Sequence, residues 1–231
     1  MDDFERYGDY TEYEDDIPKK RTVPIMRVLK ILIGVICVGV ISIFAFRLIL
    51  FNIYPDKIEN IYFTDNLISY YEKTDGNIGA KTQELRSPYD DPDYANFFCD
   101  NLIVIDGAGE LQVSLRYNNS AIENIKTKLE LDSFDTNSDK LFTFRLCDNY
   151  GRYYYPTYID TDDMMMYHYY KLCFDKIPFN VEGEEYPEWI RLEVFVEGQK
   201  SKDPFSMIAV YENNENFSKF EDYNLSGEEH P

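Results

Sequence analysis

Gly109–Tyr117 reads GELQVSLRY, and the reading of this stretch decides the fold. Leu111, Val113, Leu115 and Tyr117 occupy alternate positions, with Glu110, Gln112, Ser114 and Arg116 between them. A period of two is the signature of a strand whose successive side chains point to opposite faces, one dry and one wet. The same alternation recurs along the chain. In LFTFRLC, Phe142, Phe144 and Leu146 oppose Thr143 and Arg145; in EWIRLEVFVE, Ile190, Leu192, Val194 and Val196 oppose Arg191, Glu193 and Glu197. In IKTKLEL, Ile125, Leu129 and Leu131 oppose Lys126, Lys128 and Glu130, which predicts another strand, and FSMIAVY closes the series. Asp106-Gly107, Asn118-Asn119, Asn149-Tyr150-Gly151, Glu182-Gly183 and Glu197-Gly198 supply turn chemistry between the runs.

Short alternating strands separated by turns predict two antiparallel sheets packed face to face. The expected class is therefore mainly β, an Ig-like antiparallel β-sandwich over residues 97–213, with a small barrel as the alternative. The Cys-Trp-Cys order of antibody domains is absent, because Trp189 follows both Cys147 and Cys173. Those two cysteines are the pair that a bridge would join, a matter of distance that spacing alone leaves open.

DDMMMYHYYKLCFD, Asp162–Asp175, departs from the alternation. Threaded as one strand, Met164, Met166, His168, Tyr170, Leu172 and Phe174 share a face. Met165, Tyr167, Tyr169, Lys171 and Cys173 share the other. Thioethers beside an imidazole are soft-metal ligands. However, residues two apart on a strand lie roughly 7 Å apart, so Met164, Met166 and His168 do not converge on one ion, and no metal is expected. Two apolar faces instead indicate a strand covered on both sides, by the core and by either the preceding segment or a partner. Tyr153, Tyr154, Tyr155, Tyr158, Tyr167, Tyr169 and Tyr170 are expected to gather in one hairpin around Pro156. Tyr153, Tyr155, Tyr167 and Tyr169 are the candidate partner-binding residues, since tyrosine joins a large apolar body to a polar tip.

Before the strands, ILIGVICVGVISIFAF (Ile31–Phe46) carries no charge. At 1.5 Å per residue it covers about 24 Å, short of the roughly 30 Å hydrocarbon core. Arg27, Lys30 and Arg47 can snorkel, which extends the span to residues 25–51. Lys19, Lys20, Arg21, Arg27 and Lys30 precede the run, against Arg47 and Lys57 after it. The positive-inside rule then places the N-terminus in the cytoplasm and the C-terminal part outside. No small-residue cleavage site follows, so the segment reads as an uncleaved signal anchor of a single-pass cell-membrane protein.

The remaining segments are an acidic cytoplasmic tail (1–24), an extracytoplasmic stem (52–96) and a polar C-terminal tail (214–231). In the first, Tyr7, Tyr10 and Tyr13 recur every third residue among acids and form a candidate phosphorylation set. In the stem, Thr64 is placed to cap a helix bearing Leu67, Ile68 and Tyr71. Asn118, Asn216 and Asn224 begin Asn-x-Ser sequons, and Asp135–Asp139 imitates the start of a calcium loop but lacks its glycine and closing glutamate.

The 231 residues carry a net charge of −20, which argues against nucleic acid as a partner. With 2 histidines and neither a nucleophile elbow nor a phosphate loop, the chain is expected to be neither an enzyme nor a cofactor binder. Anchor and sandwich together resemble the uncharacterised signal-anchored single-pass ectodomain proteins of Gram-positive-type bacteria. The expected function is a non-catalytic extracytoplasmic interaction module that meets an envelope protein or glycan. The alternative is a sensor or regulator coupling the ectodomain to the acidic, tyrosine-rich tail.

Overall fold

The computed structural model describes residues 25–51, 53, 55–85, 97–131, 141–164, 167–179, 183, 185–212 and 221–223. The chain divides into two units, Met1–Ile53 and Tyr54–Pro231. The first contains α1 (Ile25–Phe51), a helix of 27 residues. Leu, Ile, Val and Phe run through it without proline, and its most apolar window has mean hydropathy 2.7 with 0% buried. Twenty-seven residues at 1.5 Å each reach about 40 Å, more than the hydrocarbon core requires. In such a medium only a helix satisfies every backbone group from within one segment. The helix is long and apolar enough to cross a membrane.

The second unit is mainly β, built of two antiparallel sheets. Its elements in chain order are α2 (Asp56–Glu59), α3 (Asp65–Lys73), β1 (Lys81–Glu84), β2 (Phe97–Ile105), β3 (Glu110–Asn118), α4 (Asn119–Lys128), β4 (Phe142–Asp148), β5 (Tyr153–Tyr154), β6 (Tyr158–Met164), β7 (Tyr167–Phe174), β8 (Trp189–Val196), β9 (Ser206–Glu212) and β10 (Glu221–Asp222). The larger sheet has the order β10-β1-β2-β3-β7-β6, and the smaller β5-β4-β8-β9. Leu111, Val113 and Leu115 from the first share one buried cluster with Phe144, Leu146, Leu192 and Val194 from the second. Each such side chain taken fully from water contributes about 1.5–3 kcal/mol, so the common core is what joins the layers.

Between β2 and β3 the chain turns through a short 3-10 segment that ends at Gly109, φ 63. A Cβ at Gly109 would stand 2.7 Å from the Ile177 carbonyl oxygen, and the Gly109 carbonyl accepts from the Ile177 amide at 2.9 Å. Only glycine permits that approach.

Several expectations are corrected. IKTKLEL belongs to helix α4 and the turn after it, not to a strand. Ala121, Ile122 and Ile125 are buried at helical spacing, and the Asn118 side-chain oxygen caps the helix by accepting from the Ala121 amide at 3.0 Å. The expected single strand 164–174 is instead the end of β6 and all of β7, paired from Met164↔Tyr167, while residues 165–166 lie outside the described residues. The 52–96 segment contributes β1, and the C-terminal segment contributes β10, which pairs with β1. The largest departure is β3, buried at every position: Glu110, Gln112, Ser114 and Arg116 do not face water.

Candidate functional site

What covers β3 is the stretch Ile58–Asn66, here called the strap. Gln112 grips its backbone from both sides: Oε1 accepts from the Tyr62 amide at 2.8 Å, and Nε2 donates to the Tyr62 carbonyl at 2.6 Å. The Ser114 hydroxyl donates to the Ile58 carbonyl at 2.7 Å. Lys171, on β7, donates from Nζ to the carbonyls of Ile58 at 3.2 Å and Asn60 at 2.8 Å. Buried polar side chains need partners, and an irregular segment has backbone groups that no ladder satisfies, so each answers the other.

Thr64 completes the arrangement. Its hydroxyl oxygen accepts from the Leu67 amide at 3.1 Å, capping α3, and donates to Glu110 Oε2 at 2.6 Å. The expected helix with Leu67 buried is therefore present. Glu110 also accepts from Asn66 Nδ2 at 3.2 Å and from Gln112 Nε2 at 2.9 Å. Burial pushes the Glu110 carboxyl above its ordinary range, with Asp175 adding to the shift and the three donors opposing it. At the sheet edge, Lys57 reaches Asp160 and Asp162 of β6, each at 3.6 Å, and the Tyr62 ring stacks on Tyr158 at 3.7 Å. On β7, Tyr170, Leu172 and Phe174 enter the common core, whereas Lys171 reaches out to the strap. The doubly covered strand is thus observed, with the preceding segment as one of its covers.

The smaller sheet presents a different outer surface. Its register aligns Tyr153, Cys147, Arg191 and Ala209 in one row across β5, β4, β8 and β9. Arg145, Glu193 and Met207 form the next row, and Thr143 with Phe195 the third. Tyr153 is 50% exposed, Tyr155 63% and Met207 56%. Arginines order the aromatic rings. The Arg145 guanidinium lies 4.3 Å from the Tyr153 ring centre and 4.8 Å from that of Phe195, and its Nε donates to Glu193. Arg191 lies 4.5 Å over Trp189, and Arg152 4.9 Å over Tyr150. Asp148, 1% exposed, fixes the β4–β5 turn: it accepts from the amides of Tyr150 and Arg152, each at 3.0 Å, from Arg152 Nε at 2.6 Å and from the Tyr154 hydroxyl at 2.9 Å.

The tyrosines expected in one hairpin are therefore divided. Tyr153 and Tyr155 stand exposed on and beside β5 in the smaller sheet. Tyr167 and Tyr169 lie on β7 of the larger sheet at 7% and 1% exposure, with the Arg116 guanidinium 5.6 Å from the Tyr167 ring. Spacing alone did not reveal this, because the chain changes sheets between Tyr154 and Tyr158. The signal missed in sequence was arginine at outward positions beside the rings, Arg145 and Arg191 above all. Tyr7, Tyr10 and Tyr13, the 135–139 loop, Asn216, Asn224 and His230 lie outside the described residues. Asn118 of the first sequon is the α4 cap.

Cys147 and Cys173 are free thiols, and each points away from the shared core on a different sheet. His168 Nδ1 meets Asp163 Oδ1 at 2.6 Å and Nε2 meets Asn119 Oδ1 at 2.8 Å, so both ring nitrogens are engaged. Among the described residues no group of three His, Cys, Asp or Glu side chains is placed to hold a metal ion. No family model, no curated protein and no solved structure matches the chain.

Proposed function

We propose that this is a single-pass membrane protein, N-terminus in the cytoplasm, that displays an Ig-like β-sandwich outside it as a non-catalytic interaction module. The observation that carries the reading is the contrast between the two outer surfaces. One is closed by the strap, whose backbone answers Gln112, Ser114 and Lys171. The other is open and carries exposed Tyr153 and Tyr155 with Arg145 and Arg191 stacked on aromatic rings. Tyrosine, tryptophan and arginine are the residues that protein interfaces concentrate, and rings already held in place lose little freedom on binding. The basic residues before α1 support the orientation.

Crosslinking of the full-length protein in intact cells tests this. Tyr153→Ala with Tyr155→Ala removes exposed rings, so the body stays folded while capture of an envelope protein or glycan falls at least about tenfold, as loss of an interface anchor implies. Capture unchanged by the double variant would refute the assignment of the open surface. A sensor role has one observation in its favour: the strap follows α1 closely in the chain, after residues 52–57, and is bonded into the body. Deletion of Asp2–Asp16 silences a sensor and leaves a display module's capture intact.

A further inference from the structure

The strap is held by hydrogen bonds whose partners differ in one respect. Gln112, Ser114 and Lys171 bond strap backbone, whereas Glu110 is a buried carboxyl that receives the strap's own side chains, Thr64 at 2.6 Å and Asn66 at 3.2 Å. Glu110 is 0% exposed. Among the described residues no lysine or arginine pairs with it. The ionisable groups electrostatically coupled to it are Asp175 after β7 and Cys173 on β7, and Lys171 lies two residues before Cys173 on the same strand. Asp175 repels a charged Glu110, and Lys171 is committed to the strap carbonyls.

We propose that Glu110 makes the strap a pH-sensitive latch, closed most tightly when the carboxyl is protonated and eased when it ionises beneath Thr64 and Asn66. The tethering role given to the latch rests on the membrane-anchor reading above, whereas the latch itself does not. Local opening of the strap admits water to Glu110, where the carboxyl returns to its ordinary behaviour. In the closed state burial raises its proton affinity. The closed state therefore holds the proton more tightly, and opening releases it. Closure is strongest below the ordinary glutamate range, weakens as pH rises through the raised value, and levels off above it. Two aliphatic side chains, Ile58 and Ile61, are buried with the strap at 0% and 7% exposure, so opening remains a minor excursion whose population shifts. Each excursion frees residues 58–66, which at about 3.3 Å per residue adds up to roughly 30 Å of chain to the link after α1.

Amide hydrogen exchange on the full-length protein in lipid nanodiscs reads the latch directly. After correction for intrinsic exchange, protection across Ile58–Leu67 falls about tenfold between about pH 5 and about pH 8 for each unit by which closure raises the carboxyl, while β8 keeps its protection. Glu110→Gln keeps the side-chain volume but cannot titrate, and the pH difference disappears. Equal strap protection at both pH values, or the same loss in Glu110→Gln, overturns the proposal. Should that variant not fold, the infrared carbonyl signal of a protonated carboxyl in the wild type decides. It vanishes over the same pH interval in which the strap loses protection, and a signal that vanishes outside that interval overturns the latch. Partner capture through the open sheet is read separately and does not depend on either result.

Discussion

Lys171 is 1% exposed, and its ammonium meets two strap carbonyls. A buried cation is tolerated only when its protons are bonded, so its removal strips the strap of two charge-assisted bonds at once. Lys171→Met keeps much of the stem's volume and is expected to lower stability by about 2–3 kcal/mol. Urea unfolding of the solubilised protein followed by Trp189 fluorescence checks this, since Trp189 is the chain's 1 tryptophan and lies in the body. A second residue-scale prediction concerns the thiols. Burial pushes Cys173 up to about 12, and Cys99 is 0% exposed, whereas Cys147 is partly exposed. Because the thiolate is the nucleophile, maleimide at neutral pH labels Cys147 before Cys99 or Cys173 in the native body, and reducing agent leaves the unfolding midpoint unchanged. Peptide mapping by mass spectrometry reads the labelling order. At this scale the alternation of Tyr170, Leu172 and Phe174 with Tyr169, Lys171 and Cys173 was legible from period alone. That Glu110, Gln112 and Ser114 would be buried was not, because polarity normally means water, and here the partner groups come from chain about fifty positions away.

Elements show where periodicity misleads. Ile125, Leu129 and Leu131 fit a strand at spacing two, but Ile122, Ile125 and Leu129 fit a helix at spacings of three and four, and the structure takes the helix. Asn118 decides it, as its side-chain oxygen satisfies the Ala121 amide that a helix start would otherwise leave without a partner. Asn118→Ala is therefore expected to cost about 1 kcal/mol, read as a lower urea midpoint with unchanged slope. The β6–β7 connection was hidden for a related reason. Its centre is methionine, not glycine, asparagine or proline, so no turn chemistry marks it in sequence. β3, β4, β8 and β9 were legible because alternating apolar runs bounded by turns have few other readings. β1 and β10 were not, since KTQE and ED contain no apolar residue to alternate. Their strand character comes from pairing with β2 and with each other.

For the whole molecule, the strap and the far C-terminal segment meet on the same sheet. β10 pairs with β1, and Tyr223 just beyond it packs on the cluster of Ile61, Leu67, Ile78 and Ile103. The Tyr223 amide donates to the Ala80 carbonyl at 2.9 Å, and its hydroxyl accepts from the Ile61 amide at 3.0 Å. One residue near the chain's end thus pins both the strap, 162 positions earlier, and the start of β1. A polar composition suggested only a polar tail, because two short strand residues and one tyrosine are too little pattern to register. Deleting residues 213–231 tests the connection. It removes a half-buried aromatic, one strap hydrogen bond and an edge strand, and is expected to destabilise the body by about 2–3 kcal/mol, near the value of one buried aromatic side chain. The loss falls unevenly: hydrogen exchange quickens across Ile58–Leu67 and β1, while β4 and β8 keep their protection, since β10 pairs with β1 of the larger sheet. Tyr223→Phe, which keeps the ring and removes the hydroxyl, should reproduce only the strap's share. If truncation leaves strap exchange unchanged, the two ends of the body are independent, and the strap is held by β3, β6 and β7 without Tyr223.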